Sequence, residues 1–408
     1  MTAIKEAWTE GDSASVPYWV YTDSEVYQKE LERVWYGDHW LYTGLACEVP
    51  EVGSYRTLVL GERPVIMVRS RADEISVLEN RCAHKGTKVV WERAGRAQSL
   101  TCPYHRWNYA LDGQLKGLPF RRGIDGQGGM QADFQMGEHN LNRLKVETVN
   151  GVVWASFGNP PPLREFLGPV MWQHYERIFS GRKLRLIGYN RQRLHGNWKL
   201  MMENNKDAYH GALLHAFFAT FGLFRPDQKS ALDIDATGRH SCLSSAMAGG
   251  GANAVAAALP GFDASLQLQD RRLIEAVKEL RGDETMGSST IFPSVILLQQ
   301  VNSLQARQLV PRGPGCFDLM WTHFGFEDDD EEMRKRRLRN ANLFGPAGFV
   351  SADDAEVIRM QQQGFEMSAA QGAAVNLLGG RAIERSTSMA NEAPVRGMYA
   401  YYRQLMGL

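Results

Sequence analysis

The segment NNKDAYHGALLH, residues 204–215, places one carboxylate and two imidazoles within nine residues: Asp207, His210 and His215. Histidines four residues apart share a helix face, as in metalloproteases with H-E-x-x-H, but five residues apart they diverge by roughly 140° on an ideal helix. The surrounding sequence reads as an amphipathic helix, so that helix must be distorted or locally unwound here if both rings are to reach one ion. Two imidazoles and one carboxylate form the facial donor set of a non-haem iron(II) site, with positions left open for dioxygen. Asp207 can be read either as a ligand or as the hydrogen-bond partner of a ligating histidine.

A second set of donors lies upstream in RCAHKG (81–86) and CPYHRW (102–107), giving Cys82-x-His84 and Cys102-x-x-His105. Each loop supplies one thiolate and one imidazole, whereas a zinc finger pairs its cysteines in one loop and its histidines in another. Two cysteines on one iron and two histidines on the other define a Rieske two-iron, two-sulfur cluster. The alternative is a structural zinc site, or four unrelated buried residues. Gly86 and Pro103 suit tight loops whose backbone amides approach the sulfurs. The chain carries no flavin or nicotinamide motif, so a one-electron cluster here must take electrons from another protein and pass them on. Segment 204–215 is the natural destination.

The elements that must position these residues follow from texture. TDSEVYQKELERVW has Thr22 three residues before Glu25, a capping-box pattern ahead of apolar positions at helical spacing. From residue 54, short β-branched runs broken by turns (SYRTLVL, VIMVR, ISVLEN, later GVVWASFG) predict a small antiparallel β domain over 41–158. GNPPPL, 158–163, is a Pro-rich linker. Beyond it come strand-like LRLIGYNRQRL, the helix bearing the histidines, strands near SVILLQQVNSLQARQLVP and a charged helix over 329–342. That mixture predicts an α+β domain over 159–408 with helices on one face of an antiparallel sheet. Residues 1–40 form a helical segment packed on that domain. The low-complexity stretch 246–261 reads as a loop, and its glycines match no phosphate-binding pattern.

Composition bounds the rest. The chain has 408 residues, 44% hydrophobic and 23% charged, with 46 basic and 46 acidic side chains, so no global field draws it to nucleic acid or an anionic membrane. No apolar run approaches a membrane span and the N-terminus lacks a signal-like apolar region, which predicts a cytoplasmic protein. Five cysteines in so long a chain argue against a disulfide scaffold.

With these motifs in place, the sequence resembles the large (α) subunits of Rieske non-haem iron aromatic ring-hydroxylating oxygenases. The resemblance rests on Cys82, His84, Cys102 and His105, on NWKLMMENNKDAYHGALLHAFF from Asn197, and on GPAGFVSADDAEV from Gly345. It implies His210 and His215 as ligands of a mononuclear Fe(II), with Asp354 as the third. It implies that Asp207 bridges an iron-binding histidine to a Rieske histidine of a neighbouring subunit, matching His105. It further implies an N-terminal Rieske domain, a C-terminal helix-grip domain, a trimer of α subunits often joined by small β subunits (α3β3), and a separate reductase or ferredoxin as electron donor. The branch it is most similar to oxidises aromatic carboxylates such as terephthalate, salicylate and anthranilate, and there Arg307 and Arg396 match arginines that clamp the substrate carboxylate. Monohydroxylation or dealkylation of a non-carboxylate aromatic, and a Rieske electron carrier without catalysis, are the rival functions. Three departures stand out: Arg106 follows the last cluster ligand where much of the family has glycine, Lys85 stands where arginine is common, and DAYH lacks the proline of some salicylate-type members.

Cys47, Cys242 and Cys316 have no ligand-spaced neighbour and read as ordinary buried thiols. His39, His139, His174, His195, His240 and His323 read as structural or solvent-facing. The run FEDDDEEMRKRR, 326–337, reads as a solvated helix start with acids at its N-terminal end.

Overall fold

Strand signals around residue 54 and helix signals around residue 200 separate into two compact units in the computed structural model, Trp35–Pro160 and the combination of Met1–Val34 with Pro161–Leu408. The structure describes residues 8, 14–225, 227–247, 257–258, 262–368 and 372–408. Most of the 246–261 stretch lies outside the described residues.

Trp35–Pro160 is built from short antiparallel strands. One sheet runs Glu74–Glu79, Arg63–Arg71, Ser54–Leu60, Ala94–Arg96; a second runs Lys145–Val149, Val152–Ser156, Leu41–Leu45; a third runs Leu100–Thr101, Asn108–Tyr109, Leu115–Gly117. Inward residues of the first and third sheets make one core that includes Ile66, Val68, Leu78, Leu100, Trp107 and Tyr109, and both Cys82 and Cys102 belong to it.

The second unit is organised by a seven-stranded antiparallel sheet in the order Leu184–Leu194, Phe317–Phe326, Ser303–Pro311, Val295–Gln300, Met286–Ile291, Ser241–Ser245, Ser230–Ile234. Strands Ser241–Ser245, Val295–Gln300 and Ser303–Pro311 are buried at every position, as expected only when both faces of a sheet are covered. Alternation assigns the faces. Leu243, Ser288, Leu298 and Arg307 line a cleft beneath the histidine segment. Their chain neighbours face the helix Leu163–Ile178 on the far side, where Arg177 Nη1 donates to Gln299 Oε1. Helices therefore cover two faces rather than the one expected from element order, which is what leaves these strands buried at every position.

Local caps differ in detail from the sequence reading. Asp23, not Thr22, caps the helix Ser24–Glu30 by accepting from the amides of Glu25 and Val26. The acidic run starts the helix Glu331–Leu343 with Asp330 as cap, yet the run is not wholly solvated: Arg337 is buried and paired with Asp329 and Glu279. Among the described residues no helix is long and apolar enough to cross a membrane.

Candidate metal centres and active site

The helix Trp198–Lys206 begins at Asn197, whose side chain accepts from Lys199 N, and stops at Asp207, which is extended (φ −88°, ψ 105°). The stop is written in the aspartate itself: Asp207 Oδ1 accepts from the Tyr209 amide at 2.7 Å, a local turn that competes with the helical bond. A four-residue helix, Gly211–Leu214, follows directly on His210. The chain is extended again at His215 (φ −87°, ψ 90°), and Ala216–Phe221 resumes the helix. Both histidines thus sit at helix ends rather than within a helix body, which frees them from the angular spacing of a continuous helix. A side chain at Gly211 would place its Cβ 2.8 Å from the Phe224 ring, so glycine lets this short helix pack closely against that ring.

Asp354, in the first turn of the helix Ser351–Ser368, closes the arrangement. Its Oδ1 lies 3.3 Å from His215 Nε2 and 3.5 Å from His210 Nε2, and the three ligand atoms lie within 4.8 Å of one another. On the far sides of the rings, His210 Nδ1 meets Asp207 Oδ2 at 3.2 Å and His215 Nδ1 meets Asp353 Oδ2 at 3.2 Å. Each carboxylate fixes a ring through Nδ1–H, which turns both Nε2 atoms toward Asp354, where a metal ion would take the place of a proton. Burial opposes charge on His210, yet hydrogen bonding to Asp207 and Asp354 holds its pKa up to about 10. Burial likewise opposes ionised Asp354, but its contacts with His210 and His215 hold that carboxyl well below the usual range. The field therefore favours positive charge between the rings, and two nitrogens with one oxygen suit iron(II). Asn204, one turn before the helix stop, donates from Nδ2 to Asp354 Oδ1 at 2.9 Å and fixes that oxygen.

In the other unit the two cysteine–histidine loops are built alike. The Gly86 amide donates to Cys82 O at 2.9 Å, and the Arg106 amide donates to Cys102 O at 3.0 Å. The Cys82 and Cys102 amides donate in turn to Thr87 O and Trp107 O. Each loop needs a left-handed residue at the turn; Gly86 adopts it freely (φ 73°), whereas Arg106 (φ 58°) does so at a steric cost. Both cysteines are buried, while His84 is exposed and His105 partly so. The His84 and His105 rings lie 4.6 Å apart, and His84 stacks on Trp107 at 4.9 Å. Tyr109 Oη lies 3.2 Å from Cys82 Sγ and accepts from the Ala83 amide. Among the described residues only His210, His215 and Asp354 gather three such donors tightly enough for one ion, so these four fit a larger two-iron cluster better than a single zinc.

Comparison with known proteins adds the decisive observation. Residues 39–127 match the Rieske [2Fe-2S] domain and residues 172–408 match the ring hydroxylating alpha subunit (catalytic domain). The chain belongs to the ring-hydroxylating alpha-subunit family. Similar proteins include the salicylate 5-hydroxylase large oxygenase component of Ralstonia sp (49% identical, covering 98% of this chain and 96% of the relative) and the terephthalate 1,2-dioxygenase terminal oxygenase component subunit alpha 2 of Comamonas sp (38%, 98% and 97%). The fold is that of naphthalene 1,2-dioxygenase from Rhodococcus sp (TM-score 0.80, 23% identity, covering 96% of this chain and 94% of that one). As a family member, this ring-hydroxylating alpha subunit uses a Rieske cluster and mononuclear iron to hydroxylate aromatic rings with dioxygen.

The alpha subunit's cleft holds roughly 500 Å3 of open space, mouth included, and is lined by the triad, Asn204, Asn205, Asp207 and an apolar wall with Phe218, Leu243 and Leu298. Arg307 is part of that lining. It is buried, its Nε donates to Gln305 Oε1 and its Nη2 to Phe344 O, and no carboxylate lies within 4 Å of it among the described residues. Burial pushes its guanidinium down to about 9, against the pull of Asp354.

Arg396 is placed differently from the clamp expected of it. Its guanidinium donates to Leu378 O, Gly379 O, Ala382 O and Asn391 Oδ1, is consumed in holding that loop, and does not line the cleft. Sequence reasoning missed Asn204 and Asp353, whose partners lie far away in the chain; the doubled acid at 353–354 was the one available signal. It also missed Tyr109 and Trp107, which resemble any core aromatics until the loops fold over them.

Proposed function

We propose that this chain is the oxygenase component that hydroxylates an aromatic carboxylate, with the ring held over the iron by Arg307. The observation that carries this is a buried guanidinium in the cleft wall that has only neutral partners among the described residues. Such a group is costly unless an anion completes it, and a carboxylate can do so through two parallel bonds that fix which ring carbons face the metal. Relatives named for salicylate, terephthalate and anthranilate support the reading, since each of those substrates is an aromatic acid. Bound at His210, His215 and Asp354, iron supplies dioxygen activation, and the cluster at Cys82, His84, Cys102 and His105 supplies single electrons. The chain's own residues orient both: Asp207 and Asp353 hold the imidazoles, Asn204 holds Asp354, and the apolar wall limits water. Asp207 also bridges to His105 of the partner subunit in a trimer, joined by small β subunits and served by a separate reductase or ferredoxin. The cytoplasm suits such a chain, none of whose five cysteines is in a disulfide.

The test is Arg307→Leu assayed on an aromatic acid and on its uncharged amide. Losing one such contact should cost about 2–4 kcal/mol of transition-state binding on the acid, roughly 30- to 1000-fold in kcat/KM, and little on the amide. Equal losses on both substrates, or none, would sink the carboxylate reading. Product analysis in the same assay separates one hydroxyl from two.

A further inference from the structure

The floor of the cleft is one face of the seven-stranded sheet, and alternation decides which side chains it presents. On Val295–Gln300, Leu298 and Gln300 line the cleft, while Gln299 turns to the far face and accepts from Arg177. Gln300 is only 7% exposed. The other neutral polar groups of the lining are occupied: Asn204 donates to Asp354, Asn205 donates to Met201 O, and Ser288 donates to Asn205 Oδ1. Gln300 alone of these has no side-chain hydrogen bond among the described residues. Buried polar groups are normally satisfied, and a carboxamide brings two donors and an acceptor oxygen. An exception that faces a ligand cavity points to the ligand. The position is also firmly set, because Gln300 pairs with Ser303 across the two-residue turn Val301–Asn302. Val301 is β-branched yet left-handed (φ 55°), which carries a steric cost. Bonds from outside the turn hold it there: the Val301 amide donates to Thr285 O, and Asn302 donates to Val277 O, Glu279 and Asn340 Oδ1.

We propose that Gln300 is a specificity-determining residue that binds a second, neutral polar substituent, a hydroxyl or an amino group, on the aromatic acid whose carboxylate Arg307 holds. This rests on the carboxylate reading above and extends it. Arg307 stands on the next strand, where register pairs it with Ile296. Four residues separate Ile296 from Gln300, about 13 Å of strand at about 3.3 Å per residue, so the guanidinium and the carboxamide sit toward opposite ends of the floor. A carboxamide both donates and accepts, as hydroxyl and amino groups do. A second buried carboxylate would instead need a cation, and the cross-strand neighbours of Gln300 are Met286 and Ser303, neither of them charged. A hydrogen-bonding group in the wall also rejects an analogue that lacks the partner, because the wall group is then left unpaired; an apolar residue here could not discriminate in that way. Held at two points, the ring has one orientation over the metal. Gln300 thereby helps to set which carbon reacts.

The test compares benzoate with benzoates bearing one hydroxyl or one amino group at each ring position, in enzyme reconstituted with its reductase. Wild type should prefer at least one of these derivatives over benzoate. Gln300→Met keeps the length of the side chain and removes both hydrogen-bonding groups. It should lose about 10- to 100-fold in kcat/KM on the preferred derivative, mostly through KM, and stay within about threefold of wild type on benzoate. The rise in melting temperature that the preferred derivative gives should shrink in the same variant, with Rieske spectrum and mononuclear iron content unchanged. If the methionine variant does not fold, Gln300→Leu supplies the same comparison. Equal losses on benzoate and derivative, no loss on either, or a wild type that favours benzoate would overturn the assignment. This contrast is drawn among acids, whereas Arg307 is tested between an acid and its amide, so either result can fail without the other.

Discussion

At the scale of single residues, Asp353 and Asp354 are neighbours in sequence with different work. Asp354 faces both Nε2 atoms, while Asp353 stands behind His215 at Nδ1. Asp354→Ala should leave the Rieske absorption intact and strip most mononuclear iron. Asp353→Ala should retain iron but bind it more weakly, by about 10- to 100-fold, because His215 loses its orienting partner. Iron analysis of the two purified variants decides it, and reversed phenotypes would exchange the assignments. His210, His215 and the four cysteine–histidine positions stood out in the sequence by residue type and spacing, whereas Asp354 came only from the family resemblance; folding draws His210, His215 and Asp354 together. Their partners were not legible: Asn204 reaches Asp354 across 150 residues of chain, a meeting that only the packed helices create. Arg396 shows the converse limit, since no local pattern distinguishes an arginine that will grip a substrate from one that carbonyls will consume.

At the scale of elements, the broken helix could be anticipated from the five-residue spacing, but the way it is anchored could not. Its last turn carries Glu203, partly buried and bonded by Tyr399, which also bonds Tyr21 of the N-terminal segment. About one turn earlier, Lys199 pairs with Glu30 at 2.5 Å. These tethers come from opposite ends of the chain, so no window of sequence contains them. Burial raises the Glu203 carboxyl to about 7, against the hydrogen bonds from Tyr399 and Tyr21. A carboxyl raised in the folded state contributes stability fully below about pH 4.3, where the unfolded chain also holds the proton, and loses it as pH rises toward 7. Glu203→Gln keeps an acceptor for Tyr399 and removes the titration. Its melting temperature should therefore vary less than wild type between pH 4.5 and about 7, where the wild-type contribution changes by up to about 1.4 kcal/mol per pH unit. Parallel curves for the two proteins would place the charge elsewhere.

At the scale of the whole molecule, the sequence indicated an α+β chain with a β domain ahead of a mixed one, because turn-punctuated strands and helical periodicity are local signals. That the sheet is covered on both faces was less visible, being a matter of which strand neighbours which. The two metal centres lie in separate compact units, and each reaches the surface: His84 is exposed on one, and Asp207 is partly exposed on the other. If electrons cross between subunits, a chain without its cluster still offers a working iron site to a neighbour, and a chain without iron still offers a working cluster. Co-expression of Cys102→Ser with His210→Ala should then yield active mixed assemblies, although each variant alone is inactive. A mixture as dead as its parents would confine the electrons to one chain. In genetic terms, two lesions in the same gene would complement each other, and a cell carrying both defective alleles would still degrade its aromatic substrate.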